Sequence, residues 1–384
     1  MTKSVERKLA VAVLLSGREK FSSYYGGALA RWTYEAYRHL TSELDVKVFG
    51  FPTPAEDLYP LPHETSHSWR LCKIAQRIPV VRRYEDRLWL SSLSRRLQQV
   101  DVVHIHNRPQ WAFILRQLGL QGRIVVHLQN DHLGHWTTPM LDALAPAVDA
   151  VVTCSTYLRD TFAPRSSSLA RKTHVVFNGV NTEVSRPCEN LREPKTILFV
   201  GRFDPEKGVL QLVRAYALVL KDHPDAKLII GGGTGFGTHH ETPYVSQVQA
   251  MARSIQQNCG AAIQFTGYIH HDRDLPACFQ RASVFACPSL FQEPFGLVNA
   301  EAMACATAIV GSNRGGIPEV LGDAGKVVDP ENVEGFSSAL SELLANPERR
   351  RQLGQAGYQR AIQTFDWRVV AQNWAGLLRQ LVCK

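Results

Sequence analysis

Short apolar runs punctuate the chain, and most are too continuous to have one solvated face. In the first half they are KLAVAVLL (Lys8–Leu15), LDVKVFGF (Leu44–Phe51), VDVVHIH (Val100–His106), RIVVHL (Arg123–Leu128), AVVTCS (Ala150–Ser155) and HVVF (His174–Phe177). Between the first two lies YGGALARWTYEAYRHL, which reads as a helix opened by Gly26 and Gly27. Short buried strands alternating with helical segments predict a parallel sheet covered on both faces. The pattern restarts after EVSRPCENLREPK (Glu183–Lys195), a polar, Pro-containing stretch suited to a linker. TILFVG, AKLIIGGG, AIQFTG, SVFACP and AIVGS then follow as successive strands. The expectation is α/β, with two doubly wound Rossmann-like domains over residues 1–185 and 193–364. Ligands of such sheets bind beyond the carboxyl ends of the strands, so a cleft between the two domains is the expected site.

Composition adds bounds. With 384 residues, 45% hydrophobic and 20% charged, the chain is long enough for two cores. No apolar run reaches the roughly 18–20 residues of a membrane-spanning helix. Lys3, Arg7 and Lys8 before Leu9–Gly17 resemble the start of a secretory leader. The first strand of a sheet is the preferred reading, because no small-residue cleavage site follows and further strand–loop–helix units do. The eight cysteines contain no CxxC pair and suit reduced thiols in a cytoplasmic protein.

The formal charge of +8 is partly concentrated between Ser68 and Gln99, where Arg70, Lys73, Arg77, Arg82, Arg83, Arg87, Arg95 and Arg96 face only Glu85 and Asp86. Trp69, Leu71, Ile74, Ile78, Val81, Tyr84, Leu88, Trp89 and Leu93 are interleaved at helical spacing. Two readings fit: a basic amphipathic surface for an anionic membrane or acceptor, or helices packed by their apolar face with solvated Arg outside. No nucleic-acid motif accompanies the charge, so nucleic acid is not an expected partner.

Four segments carry candidate chemistry. Gly26 and Gly27 after the first strand permit close approach of a ligand to a helix start, although a plain turn explains them as well. In TILFVGRFDPEKG (Thr196–Gly208) a strand ends at Gly201, with Arg202 and Lys207 beside its carboxyl edge. Two such cations suit a diphosphate. The run GGGTGFG (Gly231–Gly237) fits neither GxGxxG nor a P-loop and reads only as a strand-end loop. Finally, LFQEPFGLVNAEAMACATA (Leu290–Ala308) holds Glu293 and Glu301. Pro294 keeps Glu293 out of a helix, and a helix starting near Phe295 to Val298 carries Glu301 one turn in. The amides of Phe295, Gly296 and Leu297 then form a phosphate site, and the carboxylates accept from hydroxyls. One elongated ligand with a charged middle and hydroxylated ends fits, as a nucleotide sugar would.

These residues resemble the retaining GT-B glycosyltransferases of family 4, the group 1 transferases. The likeness spans YYGG, DVVHIH, VVFNGVNTE, LFVGRFDPEKG, QFTGYI, PSLFQEPFGLVNAEAMAC, GGIPEV and TFDWRVVAQNW. It implies that Arg202 and Lys207 hold the donor diphosphate, Glu293 the hydroxyls of the transferred sugar and Glu301 the ribose. It further implies that the amides of Gly27 and Phe295 to Leu297 meet diphosphate or sugar oxygens, and that Tyr268 and Ile269 lie beside the base. His127 is expected to face the transferred sugar near the reaction centre. A C-terminal helix over about 365–384 is expected to pack back on the first domain. The implied reaction transfers a hexose with retention from a nucleoside-diphosphate sugar, UDP favoured, to a saccharide, lipid-linked or small-molecule hydroxyl.

No cofactor and no catalytic metal is implied. Although His104, His106, His127, His132 and His135 crowd the first domain, no carboxylate or Cys pattern completes a zinc site. The location implied is cytoplasmic, with contact at the inner membrane as a further possibility of the charge. Rival readings are a nucleotide-sugar epimerase and a non-catalytic coat protein of the same fold. The family commonly has Gly where Ala306 stands. If that turn needs φ > 0, Ala306 strains it by roughly 1 kcal/mol.

Overall fold

A computed structural model describes residues 7–15, 19–23, 27–65, 84–233, 242–271 and 273–383. The chain forms two units: 1–179 together with 367–384, and 180–366. In the first, seven strands make a sheet in the order β3-β2-β1-β4-β5-β6-β7. They are β1 (Leu9–Leu14), β2 (Leu44–Gly50), β3 (His63–Thr65), β4 (Val102–His106), β5 (Arg123–Leu128), β6 (Ala150–Thr153) and β7 (Thr173–Val175). Every pairing is parallel. The central runs β4, β5 and β6 bury both faces almost throughout, while β2 leaves Asp45 and Lys47 exposed.

One face is covered by α1 (Ala28–Arg38), whose Trp32, Ala36 and Tyr37 are buried. The C-terminal stretch belongs to this unit too. Its helix buries Trp367, Val370, Ala371, Trp374 and Leu378 in the same core as Val11, Val13 and Val48.

The second unit repeats the plan with six strands ordered β10-β9-β8-β11-β12-β13. These are β8 (Thr196–Val200), β9 (Lys227–Gly231), β10 (Ala262–Gly267), β11 (Val284–Cys287), β12 (Ala308–Ser312) and β13 (Lys326–Val328), again all parallel. Helix α2 (Val209–Asp222) follows β8 and turns Val209, Leu212, Val213, Tyr216 and Val219 into the core. Buried Tyr216 donates its hydroxyl to the Ala226 carbonyl at 2.7 Å, so its polar end is satisfied.

The polar stretch before β8 has a structural task as well. Arg192 donates to the carbonyls of Ala282 (2.6 Å), Ala306 (3.2 Å) and Cys305 (3.3 Å) and to Thr307 Oγ1 (3.0 Å). It thereby satisfies carbonyls at helix ends that lack intrahelical partners. Among the described residues the seven cysteines are free. No described helix is long and apolar enough to cross a membrane.

The basic stretch lies mostly outside the described residues, with Arg70, Lys73, Arg77, Arg82 and Arg83 among those not covered. Its described part is a helix over Glu85–Leu97, whose Trp89, Leu90, Leu93 and Leu97 are buried within the protein. Arg87 donates to Gln117 at 2.7 Å and Arg96 pairs with Glu64 at 2.9 Å. The apolar face of this helix packs inward, and among its described residues and the adjoining Tyr84 only Tyr84 and Leu88 are exposed large apolar side chains.

Candidate active site at the carboxyl edge of the second sheet

Strand order in the second sheet reverses between β8 and β11, the place where doubly wound sheets open a crevice beyond their carboxyl ends. Two loops enter it. After β8 the chain runs through Gly201 and Arg202 into a 3-10 turn, Pro205–Lys207; after β11 it runs through Pro288 to Glu293. The amides of Leu290 and Phe291 donate to the Glu206 carbonyl at 2.8 and 3.1 Å, which stitches the loops together. Gly208 closes the turn at φ 69°, and a Cβ there would lie 1.9 Å from the Pro288 carbonyl oxygen. Only glycine allows both that conformation and that approach.

The stitched loops bring Lys207 Nζ and Glu293 Oε1 into an ion pair, with the two side chains only 20% and 16% exposed. Ser289 donates its hydroxyl to the same carboxylate oxygen at 3.1 Å. Glu293 is held from behind by Gly316, whose amide donates to its carbonyl at 2.7 Å. Removing one member of a part-buried pair strands the other charge. A ligand can displace this pair only if it offers an anion to Lys207 and a hydroxyl to Glu293.

Helix α3 (Leu297–Ala304) starts on the same loop, with Gly296 at its N-cap at φ 85°. Its first amides have no carbonyl a turn earlier to bond and carry the positive end of the helix dipole. The Phe295 ring turns away into the core, edge-on to Phe365 at 5.6 Å, so this residue can meet a ligand only through its backbone. Glu301 sits on α3, 5% exposed. Its Oε1 is 2.5 Å from His271 Nε2, while the buried Oε2 has no partner among the described residues. An unpaired buried carboxylate oxygen costs about 1–3 kcal/mol and is a ready acceptor for a ligand hydroxyl. His271 was not read from the sequence, because nothing local ties it to a carboxylate thirty positions away.

The remaining candidates divide. Gly201 ends β8 and donates its amide to Gly231 at 3.1 Å. Arg202 is 57% exposed and pairs with Asp204 at 2.7 Å. Tyr268 is half-exposed, and Ile269 packs over Gly231 at the end of β9. Burial, and after it the Glu293 charge, push the Cys287 thiol up to about 12, so it stays protonated beside the site.

In the first unit, Gly26 lies outside the described residues. Gly27 caps α1, and its amide donates to Glu19 Oε1 at 2.8 Å; the Ala30 amide reaches the same oxygen at 3.3 Å. An internal carboxylate therefore holds the amide expected to meet a donor oxygen. The sugar-facing reading of His127 does not fit its placement. The ring is fully buried, 4.4 Å from the Trp32 ring and 5.4 Å from the Trp374 ring. Register is the reason: β5 pairs His127 with His106, and both rings point into the core beneath α1.

Two Rossmann-like units, one of them with a cation–carboxylate pair at its switch point, fit a GT-B glycosyltransferase architecture. The family profile "Glycosyltransferase Family 4" matches residues 25–184, and "Glycosyl transferases group 1" matches 181–360. The chain is 30% identical over 293 residues to spore coat protein SA of Bacillus subtilis, covering 71% of this chain and 76% of that one. It is 29% identical over 407 residues to the alpha-maltose-1-phosphate synthase of Mycobacterium tuberculosis, covering 96% and 99%. Anabaena HepE, solved in complex with UDP-glucose, superposes with a TM-score of 0.71 at 18% identity over 97% of this chain and 100% of that one, a likeness of fold. The chain belongs to the group 1 glycosyl transferases of glycosyltransferase family 4. It is an enzyme of the hexosyltransferase class.

Proposed function

We propose that the carboxyl edge of the second sheet binds a nucleoside-diphosphate sugar and that the enzyme transfers the hexose, with retention, to an acceptor hydroxyl. The observation that carries this reading is the Lys207–Glu293 pair at the β8/β11 reversal, one turn of α3 from the unpartnered Oε2 of Glu301. The diphosphate takes Lys207, Arg202 and the first amides of α3. The transferred sugar's hydroxyls take Glu293, and the ribose takes Glu301. Tyr268 and Ile269 flank the base, with Gly201 giving room at the strand end. As the glycosidic bond breaks, charge grows on the leaving diphosphate, and fixed cations and a helix terminus stabilise it most at that moment. The acceptor hydroxyl attacks from the face the diphosphate leaves and passes its proton to a phosphate oxygen. The chain's own groups supply this electrostatic stabilisation, with no metal or cofactor assigned to the step.

UDP is the favoured donor nucleotide, in keeping with HepE, whose structure carries UDP-glucose. The acceptor assigned is a hydroxyl of a lipid-linked or lipopolysaccharide-type glycoconjugate at the cytoplasmic face of a membrane, a reading that rests on the charge between Arg70 and Arg96. The name of the spore coat relative supports a second reading, a sugar-nucleotide-binding coat protein without turnover. A panel of UDP-, GDP- and ADP-sugars, assayed for nucleoside-diphosphate release and then by mass spectrometry of acceptor mixtures, separates the readings. Release with a hexose added to an acceptor supports transfer. A new sugar nucleotide alone indicates epimerisation, and calorimetric binding without either indicates the coat-protein role.

A further inference from the structure

The first unit contains a polar cluster that the transfer reaction does not use. His104 and His106 share one face of β4 by strand alternation, and His127 on β5 lies directly across from His106. All three rings are fully buried, and each offers a ring nitrogen within 4.8 Å of those of the other two. His104 uses Nδ1 on the Tyr37 hydroxyl at 3.0 Å, and His106 uses Nε2 on the Thr33 hydroxyl at 3.0 Å. Among the described residues their other nitrogens, His104 Nε2 and His106 Nδ1, have no partner, nor has either nitrogen of His127. Four orphaned nitrogens in one buried spot are costly, at about 1–3 kcal/mol each. Aromatic packing against Trp32 and Trp374 does not satisfy them.

We propose that His104, His106 and His127 form a three-imidazole site for a divalent transition-metal ion of the zinc type, distinct from the donor site and structural in role. A His-x-His pair on one strand with a third His on its neighbour supplies a three-nitrogen set that zinc accepts, leaving a fourth position for water or hydroxide. Metal-bound imidazoles characteristically donate their second ring N–H to an outer partner that fixes the tautomer. The Thr33 and Tyr37 hydroxyls stand where those partners belong for His106 and His104. Zinc–nitrogen distances of about 2.0–2.1 Å put tetrahedral ligands about 3.3 Å apart, so the rings draw together by up to about 1.5 Å on loading. Because the site is sealed, the ion enters as the unit folds, and its binding energy adds to folding stability.

The test uses the full, tag-free chain, unfolded in denaturant with chelator and refolded with Zn2+, with Co2+ or with chelator alone. The expected result is about one zinc per chain surviving desalting, a thermal midpoint several degrees above that of the chelator-refolded protein, and tetrahedral d–d absorption for the cobalt form. His106→Gln is expected to lose both metal and absorption, while His135→Gln keeps them. The wild-type comparison stands even if His106→Gln fails to fold. A chain that refolds without retaining metal, with the same midpoint in zinc and in chelator, overturns the proposal. So does zinc retained equally by His106→Gln, which would place it elsewhere. Nucleoside-diphosphate release is read separately, so failure here leaves the donor-site assignment untouched.

Discussion

The two sheets share a topology and differ at the place where topology creates a site. Each reverses its strand order once, between β1 and β4 in the first unit and between β8 and β11 in the second. Beyond β8 and β11 the chain leaves charged groups whose partners a ligand can replace: Lys207 against Glu293, and Glu301 with one oxygen unpaired. At the β1/β4 reversal the polar groups are buried within the unit. Glu19 caps the Gly27 amide, and the histidines of β4 and β5 are sealed beneath Trp32. The same fold thus yields an exchangeable electrostatic site in one unit and a packed polar core in the other. What differs is whether the polar residues lie on loops beyond the strand ends, as Lys207 and Glu293 do, or within the strands themselves, as His104, His106 and His127 do.

The largest effect expected is on the packed side. Trp32→Ala removes a fully buried ring that touches three histidines and two tryptophans, and is expected to destabilise the protein by about 3–5 kcal/mol. Denaturant unfolding measures it, and a loss below 1 kcal/mol would mean this region is loosely packed. Lys207→Ala is the complementary change. It is expected to lower turnover by roughly 10²–10³-fold and to lower the thermal midpoint less than Trp32→Ala does, because the part-buried Glu293 carboxylate loses its counter-charge. Near-wild-type turnover would break the contrast between the units. Glu301→Gln is expected to be milder, raising the donor KM by about ten-fold, since the amide can still accept one hydroxyl. An unchanged KM would remove Glu301 from the ribose.

Much of this was legible in the sequence, and the failures have physical causes. The central strands announce themselves because strands buried on both faces must be apolar throughout. By contrast β3 and β13, three residues each at the sheet margins, carry too little pattern to be seen. Glu293 and Lys207 were singled out in the sequence one by one, but not as partners of each other, since that contact depends on two loops meeting across 86 positions. His127 was misplaced because its neighbours in sequence suggest a strand end, while its cross-strand partner decides which way it points. The buried histidines were judged one at a time, and only the pairing of β4 with β5 gathers them.

The smallest expected effect lies at the turn after α3. Ala306 sits at φ 52°, in the left-handed region where a Cβ costs roughly 1 kcal/mol. The turn persists because its surroundings overdetermine it. The Ala306 amide donates to Met303 at 2.9 Å, Thr307 bonds Ala302 at 3.0 Å, and Arg192 grips the carbonyls of Cys305 and Ala306. Ala306→Gly relieves the strain but gives the unfolded chain more freedom, so the two effects oppose. Relief dominates where φ is positive, and a net gain of about 0.5–1 kcal/mol is expected by denaturant unfolding. Turnover is expected to stay at the wild-type level, because the turn closes α3 at the end opposite the amides proposed to meet the diphosphate. Lost stability would show that the Ala306 methyl packs usefully; altered turnover would show that strain at this turn is transmitted along α3 to Glu301.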